Sequence, residues 1–175
     1  MTRLYLLDTG TVSSILTSAS RAARARLIRL GQDEAACVSA VTAAELWCEL
    51  ERIGGGDRRR RALGLLLDRF RVLPWGGPEA IAYGEFRSHR EAIGHPLGPL
   101  DTQIAAHAIA VRAVLVSGDA AFRHVHGLPG VESWTTDLEP GSNRAPRTND
   151  RQTGSKVHHF TGWLRSRLAR LRVRK

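Results

Sequence analysis

Lysine is almost missing from this chain of 175 residues: Lys156 and Lys175 are the only two, both near the carboxyl end. A Gly-rich phosphate loop needs a lysine to reach its phosphates, so that class of nucleotide site is excluded. Cysteine is as scarce, with Cys37 and Cys48 alone. Both lie in segments that read as core. They fit a reducing compartment and exclude a disulfide framework or a thiolate metal site. No apolar run approaches the roughly 20 residues that span a bilayer. The opening Met1-Thr2-Arg3-Leu4 leads into a short apolar stretch broken at Asp8, so no signal peptide is expected and the expected location is the cytoplasm.

What the chain does have is positive charge, +9 in all. Its placement matters more than its size. Residues 1–142 hold 16 Lys+Arg against 16 Asp+Glu, whereas residues 143–175 hold 10 basic residues against Asp150 alone. The high isoelectric point therefore belongs to an appendage, and the remainder is neutral. The length suits one domain with a full core. The boundaries read as a domain over 1–137, a Pro/Gly/Asn-rich linker over 138–156, and a basic amphipathic helix or disordered tail over 157–175.

Within the domain, short apolar runs alternate with helical patterns. Leu4-Tyr5-Leu6-Leu7, Ala36 to Val41, Val72 to Trp75, Val114 to Ser117 and Val131 to Trp134 read as strands. Between them lie helices from Val12, Arg21, Thr42, Asp57, Pro78, Pro99 and Asp119, the third ending at Gly54-Gly55-Gly56. This alternation predicts an α/β fold with a central parallel sheet of 4–5 strands flanked by helices. Ligands of such sheets bind beyond the carboxyl ends of the strands.

Four acids fall at that end. Asp8 closes the first apolar run and Asp119 follows another. Glu45 and Asp101 sit in the first turns of two helices. Each has a purely local explanation. Asp8 and Asp119 suit helix N-caps. Thr42 and Glu45 match a capping box, and Asp101 suits the positive end of a helix dipole. The local explanations do not account for all four lying at one end. Converging carboxylates repel unless cations intervene. An all-oxygen donor set suits Mg²⁺ or Mn²⁺, which can activate water for attack on a phosphoryl group. Ser117, two residues before Asp119, is placed to hold a bound water or a phosphate oxygen.

The segments Leu6-Leu7-Asp8-Thr9, Ser39 to Leu46, Gly98 to Ala108 and Leu115 to Phe122 together resemble the four motifs of PIN-domain proteins, and more narrowly of the VapC toxins of type II toxin–antitoxin systems. The likeness covers roughly residues 3–137, and the third segment is its most specific part. The resemblance implies a PIN-like three-layer fold in which Asp8, Glu45, Asp101 and Asp119 are metal-binding catalytic acids. Asp8 and Asp101 would be principal ligands, Glu45 and Asp119 would complete the site, and Ser117 would assist. It also implies Mg²⁺-dependent endoribonuclease cleavage of RNA of the tRNA or rRNA class. The implied partners are a small VapB-like antitoxin that blocks the site and supplies DNA binding, and a second copy of the chain. The long apolar helices around Trp47 and Leu66 are the natural surface for that copy. Two positions depart from the pattern. Gly10 stands where relatives often carry Asn or Ser, and Gly118 stands where they often carry Asn.

Other readings predict different behaviour. A haloacid-dehalogenase-like phosphatase needs a second Asp where Gly10 stands, and a lysine. A metal-free ribonuclease would use paired histidines, yet His124, His126, His158 and His159 have no obvious orienting partner, and His107 reads as a helix residue near the acids. A weakly or non-catalytic subunit of a DNA-binding toxin–antitoxin repressor would tolerate Ala at all four acids. Arg58 to Arg61 read as a solvated helix face. The basic tail reads as an RNA-gripping arm, a membrane-surface helix, or an extension from a shifted reading frame.

Overall fold

The structure is a computed structural model, and it describes residues 2–122 and 125–135. The linker and tail expected over 138–175 lie outside the described residues, as do His124, His158 and His159. Five parallel strands, β1 (Arg3–Leu7), β2 (Glu34–Ser39), β3 (Arg71–Leu73), β4 (Val114–Val116) and β5 (Val131–Glu132), form one sheet in the order β3-β2-β1-β4-β5. Six helices connect them: α1 (Thr9–Leu16), α2 (Arg21–Ile28), α3 (Ala40–Arg52), α4 (Asp57–Leu67), α5 (Gly77–Ala92) and α6 (Pro99–Ala110). The expected α/β architecture is present. Among the described residues no helix is long and apolar enough to cross a membrane.

The central strands carry near-continuous apolar runs because both faces of the sheet are covered. Side chains alternate across it. Tyr5, Leu7, Val38, Val114 and Val116 pack under α1, α2, α3 and α4. Leu6, Cys37, Leu73 and Leu115 pack under α5 and α6. Leu6, Leu7 and Leu115 are wholly shielded from solvent, and each such burial is worth about 1.5–3 kcal/mol. β2 and β3 lie on one side of β1 and β4 and β5 on the other, so β1 pairs with β2 on one edge and β4 on the other. The reversal of strand order at β1 and β4 is where open α/β sheets bind ligands.

Several boundaries differ from expectation. The second strand ends at Ser39, not Val41, because the Ser39 hydroxyl accepts the Val41 N–H at 3.1 Å and caps α3 there. Of the short helix expected from Asp119, the described residues show a 3₁₀ turn, Ala120–Phe122, and residues 123–124 lie outside them. The last strand has two residues instead of four. α6 was expected to bury one face, yet Ala106 and His107 are also buried, since sheet and neighbouring helices enclose it. Cys37 is buried as expected but Cys48 is exposed on α3. Gly54 does end α3, with φ +68° that favours glycine. Around the expected self-association surface, Trp47 is 36% exposed and Leu65 67%, whereas Leu66 packs partly against the core.

At the amino ends of the strands, opposite the acids, Arg26 fastens four elements. Its guanidinium forks onto Glu34 at 2.7 and 3.0 Å and stacks between the rings of Tyr5 and Trp134, at 5.1 and 5.2 Å. The Tyr5 hydroxyl also donates to Glu34, at 2.8 Å. These bonds, Arg26's first, hold the Glu34 carboxyl far below the usual range. A depressed carboxyl stabilises the fold above its unfolded pKa of about 4.3, and that contribution is lost as pH falls further. Arg26→Ala should therefore lower Tm by several degrees at pH 7. Arg24→Ala, on the exposed side of the same helix, should leave it nearly unchanged. The gap should narrow in thermal melts below pH 4.

Candidate active site

Asp8 follows β1 directly, and its backbone N–H extends the β1–β4 ladder by donating to Val116 O at 3.0 Å. Both carboxylate oxygens have partners. Oδ1 accepts the Thr11 N–H at 2.6 Å, the expected N-cap, and Oδ2 accepts the Ser117 hydroxyl at 2.5 Å. Ser117 in turn accepts the Asp119 N–H at 3.0 Å. The Ser117 hydroxyl thus ties the end of β1 to the loop after β4. Asp119 caps the 3₁₀ turn through the Ala121 N–H at 2.8 Å.

Glu45 lies in the second turn of α3, because Ser39 starts that helix earlier than Thr42 would. The expected capping box does not form. Thr42 Oγ1 is buried without a hydrogen-bond partner among the described residues, and Glu45 Oε2 instead accepts the Thr9 hydroxyl at 2.5 Å. Glu45 is thereby aimed across the sheet end toward Asp8's loop, not back along its own helix. Asp101 occupies the first turn of α6, with Pro99 at the start of the helix as expected. Gly98 leaves room for it: a Cβ there would stand 3.2 Å from Asp101 Oδ2.

Electrostatics connects all four acids. Burial pushes the Asp8 carboxyl up; the Ser117 and Thr11 hydrogen bonds oppose this, and the Asp119 charge adds to it. Burial likewise pushes Glu45 up, opposed by Thr9 and reinforced by the charges of Asp101 and Asp8. Repulsion therefore runs from Asp119 through Asp8 and Glu45 to Asp101. Asp8 and Glu45 are half-buried, while Asp101 and Asp119 are exposed at the rim. Among the described residues no three His, Cys, Asp or Glu side chains close into a ready-made metal cage. The arrangement is an open acidic edge with its charges only partly compensated.

Sequence spacing did not point to Thr9, Thr11 and Ser39, whose hydrogen bonds hold the acids and their helices. Thr9 and Thr11 stand one and three residues after Asp8, and this adjacency was the available signal. Nor did it reveal that His107, wholly buried, reaches Ser39 Oγ through Nδ1 at 2.8 Å. At Gly118, one of the two departures, an added Cβ would stand 3.0 Å from Thr135 Oγ1, so that hydroxyl would have to give by a few tenths of an ångström.

A family model described as PIN domain matches residues 5–128. The tRNA(fMet)-specific endonuclease VapC of Salmonella typhimurium is 30% identical over 100 residues, 56% of this chain and 74% of that protein. The ribonuclease VapC2 of Rickettsia felis is 26% identical over 132 residues, 75% of this chain and 98% of that one. Among solved structures, Rickettsia felis VapBC2 bound to a DNA fragment from its promoter superposes with a TM-score of 0.66 at 25% identity, over 75% of this chain and 98% of that chain. The matched span takes in β2, β3, β4, most of β1 and all four acids, and on that footing the chain belongs to the PIN domain family, with VapC ribonucleases among its relatives.

Proposed function

We propose that this protein is a metal-dependent endoribonuclease, the toxic member of a toxin–antitoxin pair, that hydrolyses RNA phosphodiesters. The observation that carries the reading is the chain of mutual repulsion linking Asp8, Glu45, Asp101 and Asp119 at the strand ends. Carboxylates held together against their own repulsion favour a cation. The donors are all oxygen, which suits Mg²⁺ or Mn²⁺ and not a thiolate- or imidazole-seeking metal. Mg²⁺ usually keeps several waters and takes one or two carboxylates directly, so an open edge without a three-ligand cage fits it. When bound, such an ion lowers the pKa of water and offsets charge on a phosphoryl group.

In this reading Asp8 and Asp101 are the principal ligands, and Glu45 and Asp119 complete the site. Ser117 and Thr9 position Asp8 and Glu45 by hydrogen bonds to one oxygen of each. The names of the relatives, ribonuclease and tRNA(fMet)-specific endonuclease, support RNA as substrate; the tRNA or rRNA class, a VapB-like antitoxin, a homodimer and a cytoplasmic location complete the proposal. The test is cleavage of total RNA by the purified full chain with Mg²⁺ or Mn²⁺, against the same reaction in EDTA. Cleavage undiminished by EDTA overturns the mechanism.

The positioning role of Ser117 has its own measurement. Ser117→Ala leaves Asp8 Oδ2 without its donor. It should cut cleavage about 10–100-fold and raise the Mg²⁺ concentration for half-maximal rate, the usual cost of losing a hydrogen bond behind a metal ligand. Unchanged Mg²⁺ dependence would assign Ser117 a purely structural part.

A further inference from the structure

A cleft of about 150 Å³ lies outside the four acids, between α5 and the start of α6. Tyr83, Arg87, Arg90 and Glu91 form one wall, and Leu97 and Pro99 are among the residues opposite. The four wall residues recur at i, i+4, i+7 and i+8, so one stripe of α5 supplies them all. Arg87 is already engaged: its Nε donates to Glu91 at 2.7 Å and its Nη1 to the Tyr83 hydroxyl at 2.9 Å. That pair is neutral. Arg90 then leaves the wall with one net positive charge. Its Nε–H is shut off from solvent and has no hydrogen-bond partner among the described residues. That Nε–H is therefore out of a ligand's reach, and an acceptor in the cleft would meet the outer Nη groups of the same guanidinium, which have no hydrogen bond or ion pair among the described residues.

Size and position narrow that acceptor. The cleft is well below the roughly 300 Å³ at which small-molecule pockets begin. It admits an anionic group, not a whole cofactor. Pro99 belongs to the same first turn of α6 as Asp101, and one helical turn rises only about 5.4 Å. We propose that this cleft is a subsite for a backbone phosphate of the RNA strand neighbouring the scissile one, bound by Arg90. The assignment rests on the ribonuclease reading above. Arg90 makes no contact with the reacting atoms; it fixes the register of the strand.

The experiment measures binding, not cleavage. A fluorescently labelled single-stranded RNA oligonucleotide is titrated with the full chain in EDTA, over a series of salt concentrations, for wild type, Arg90→Gln and Arg90→Lys. Each phosphate contact to single-stranded nucleic acid contributes about 0.7 to the slope of log K against log[salt]. Arg90→Gln is shorter, keeps an N–H donor and removes the charge. It should lose about that much slope and bind about three- to tenfold more weakly. Arg90→Lys should restore the slope and part of the affinity, because it returns the charge without the guanidinium fork. A merely structural role for Arg90 would leave the slope unchanged in both variants. That result overturns the subsite and leaves the ribonuclease reading standing. A wild type that binds no RNA also overturns the subsite, and the ribonuclease reading is decided separately, by cleavage with Mg²⁺ against EDTA. If Arg90→Gln keeps the RNA slope but loses affinity for the antitoxin, the cleft serves an acidic protein segment and the RNA assignment fails.

Discussion

Asp101→Asn is expected to abolish RNA cleavage to within about 1% of the wild-type rate in Mg²⁺, while Tm stays where it was or rises slightly. The two halves of this result have one origin. Asp101 is exposed, in the first turn of α6, and its charge adds to the repulsion on Glu45. Asparagine keeps the shape and removes the charge. The fold then loses a little dipole stabilisation, worth about 0.3–1 kcal/mol at most, and gains relief from repulsion of comparable size. The active site loses a formal negative ligand. Removing a single preorganised charge-stabilising group at a reacting centre typically costs about 10²–10³-fold. Cleavage on a fluorogenic RNA and a thermal melt on the same sample read the two halves separately. Equal cleavage by both proteins would remove Asp101 from the mechanism. An Asn variant without cleavage that still arrests growth would favour the DNA-binding repressor subunit, in which the acids are dispensable.

How much of this was legible in the sequence depended on whether the cause was local. β1 is written plainly, because a strand covered on both faces must be apolar at consecutive positions, and Leu4 to Leu7 are. The start of α3 is written ambiguously. Ser39 and Thr42 are both good capping residues three positions apart, and only the packing decides between them; in the fold Thr42 is buried with its hydroxyl unpaired, and Ser39 caps. Cys48 belongs to a helix whose apolar stretch continues past it, so its exposure could not be told from its neighbours. For the site, the four acids could be named along the chain, but the bonds that aim them could not. The Ser117–Asp8 bond joins residues 109 apart and the Thr9–Glu45 bond joins residues 36 apart. No periodicity encodes such pairs; they follow from the order in which the strands lie side by side.

His107→Ala should be the most destabilising single change near the site, and its effect should depend on pH. His107 is wholly buried on α6, hydrogen-bonded to Ser39 Oγ at 2.8 Å and edge-on to Trp75 at 5.7 Å. Truncation would open a cavity between α6 and the cap of α3 and strip Ser39 of a partner. Large-to-small changes of this kind cost about 2–5 kcal/mol, and the lost bond adds about 1. For a domain of this size that is a fall in Tm of roughly 10 °C. The pH dependence follows from burial, which pushes the imidazole below its ordinary pKa while the Glu79 carboxylate, 4.0 Å from Nε2, pulls back only in part. The unfolded chain then binds a proton near pH 6.5 that the fold resists. Stability owed to His107 is therefore complete above about pH 6.5 and declines as pH falls below it. Alanine cannot titrate, so the stability gap between wild type and His107→Ala should shrink as pH falls from 7.5 to 5. Chemical denaturation at those two pH values measures it. A gap that widens toward acid would mean that the fold prefers the imidazolium, paired with Glu79, and that the neutral ring on Ser39 is the wrong description of this contact between α3 and α6.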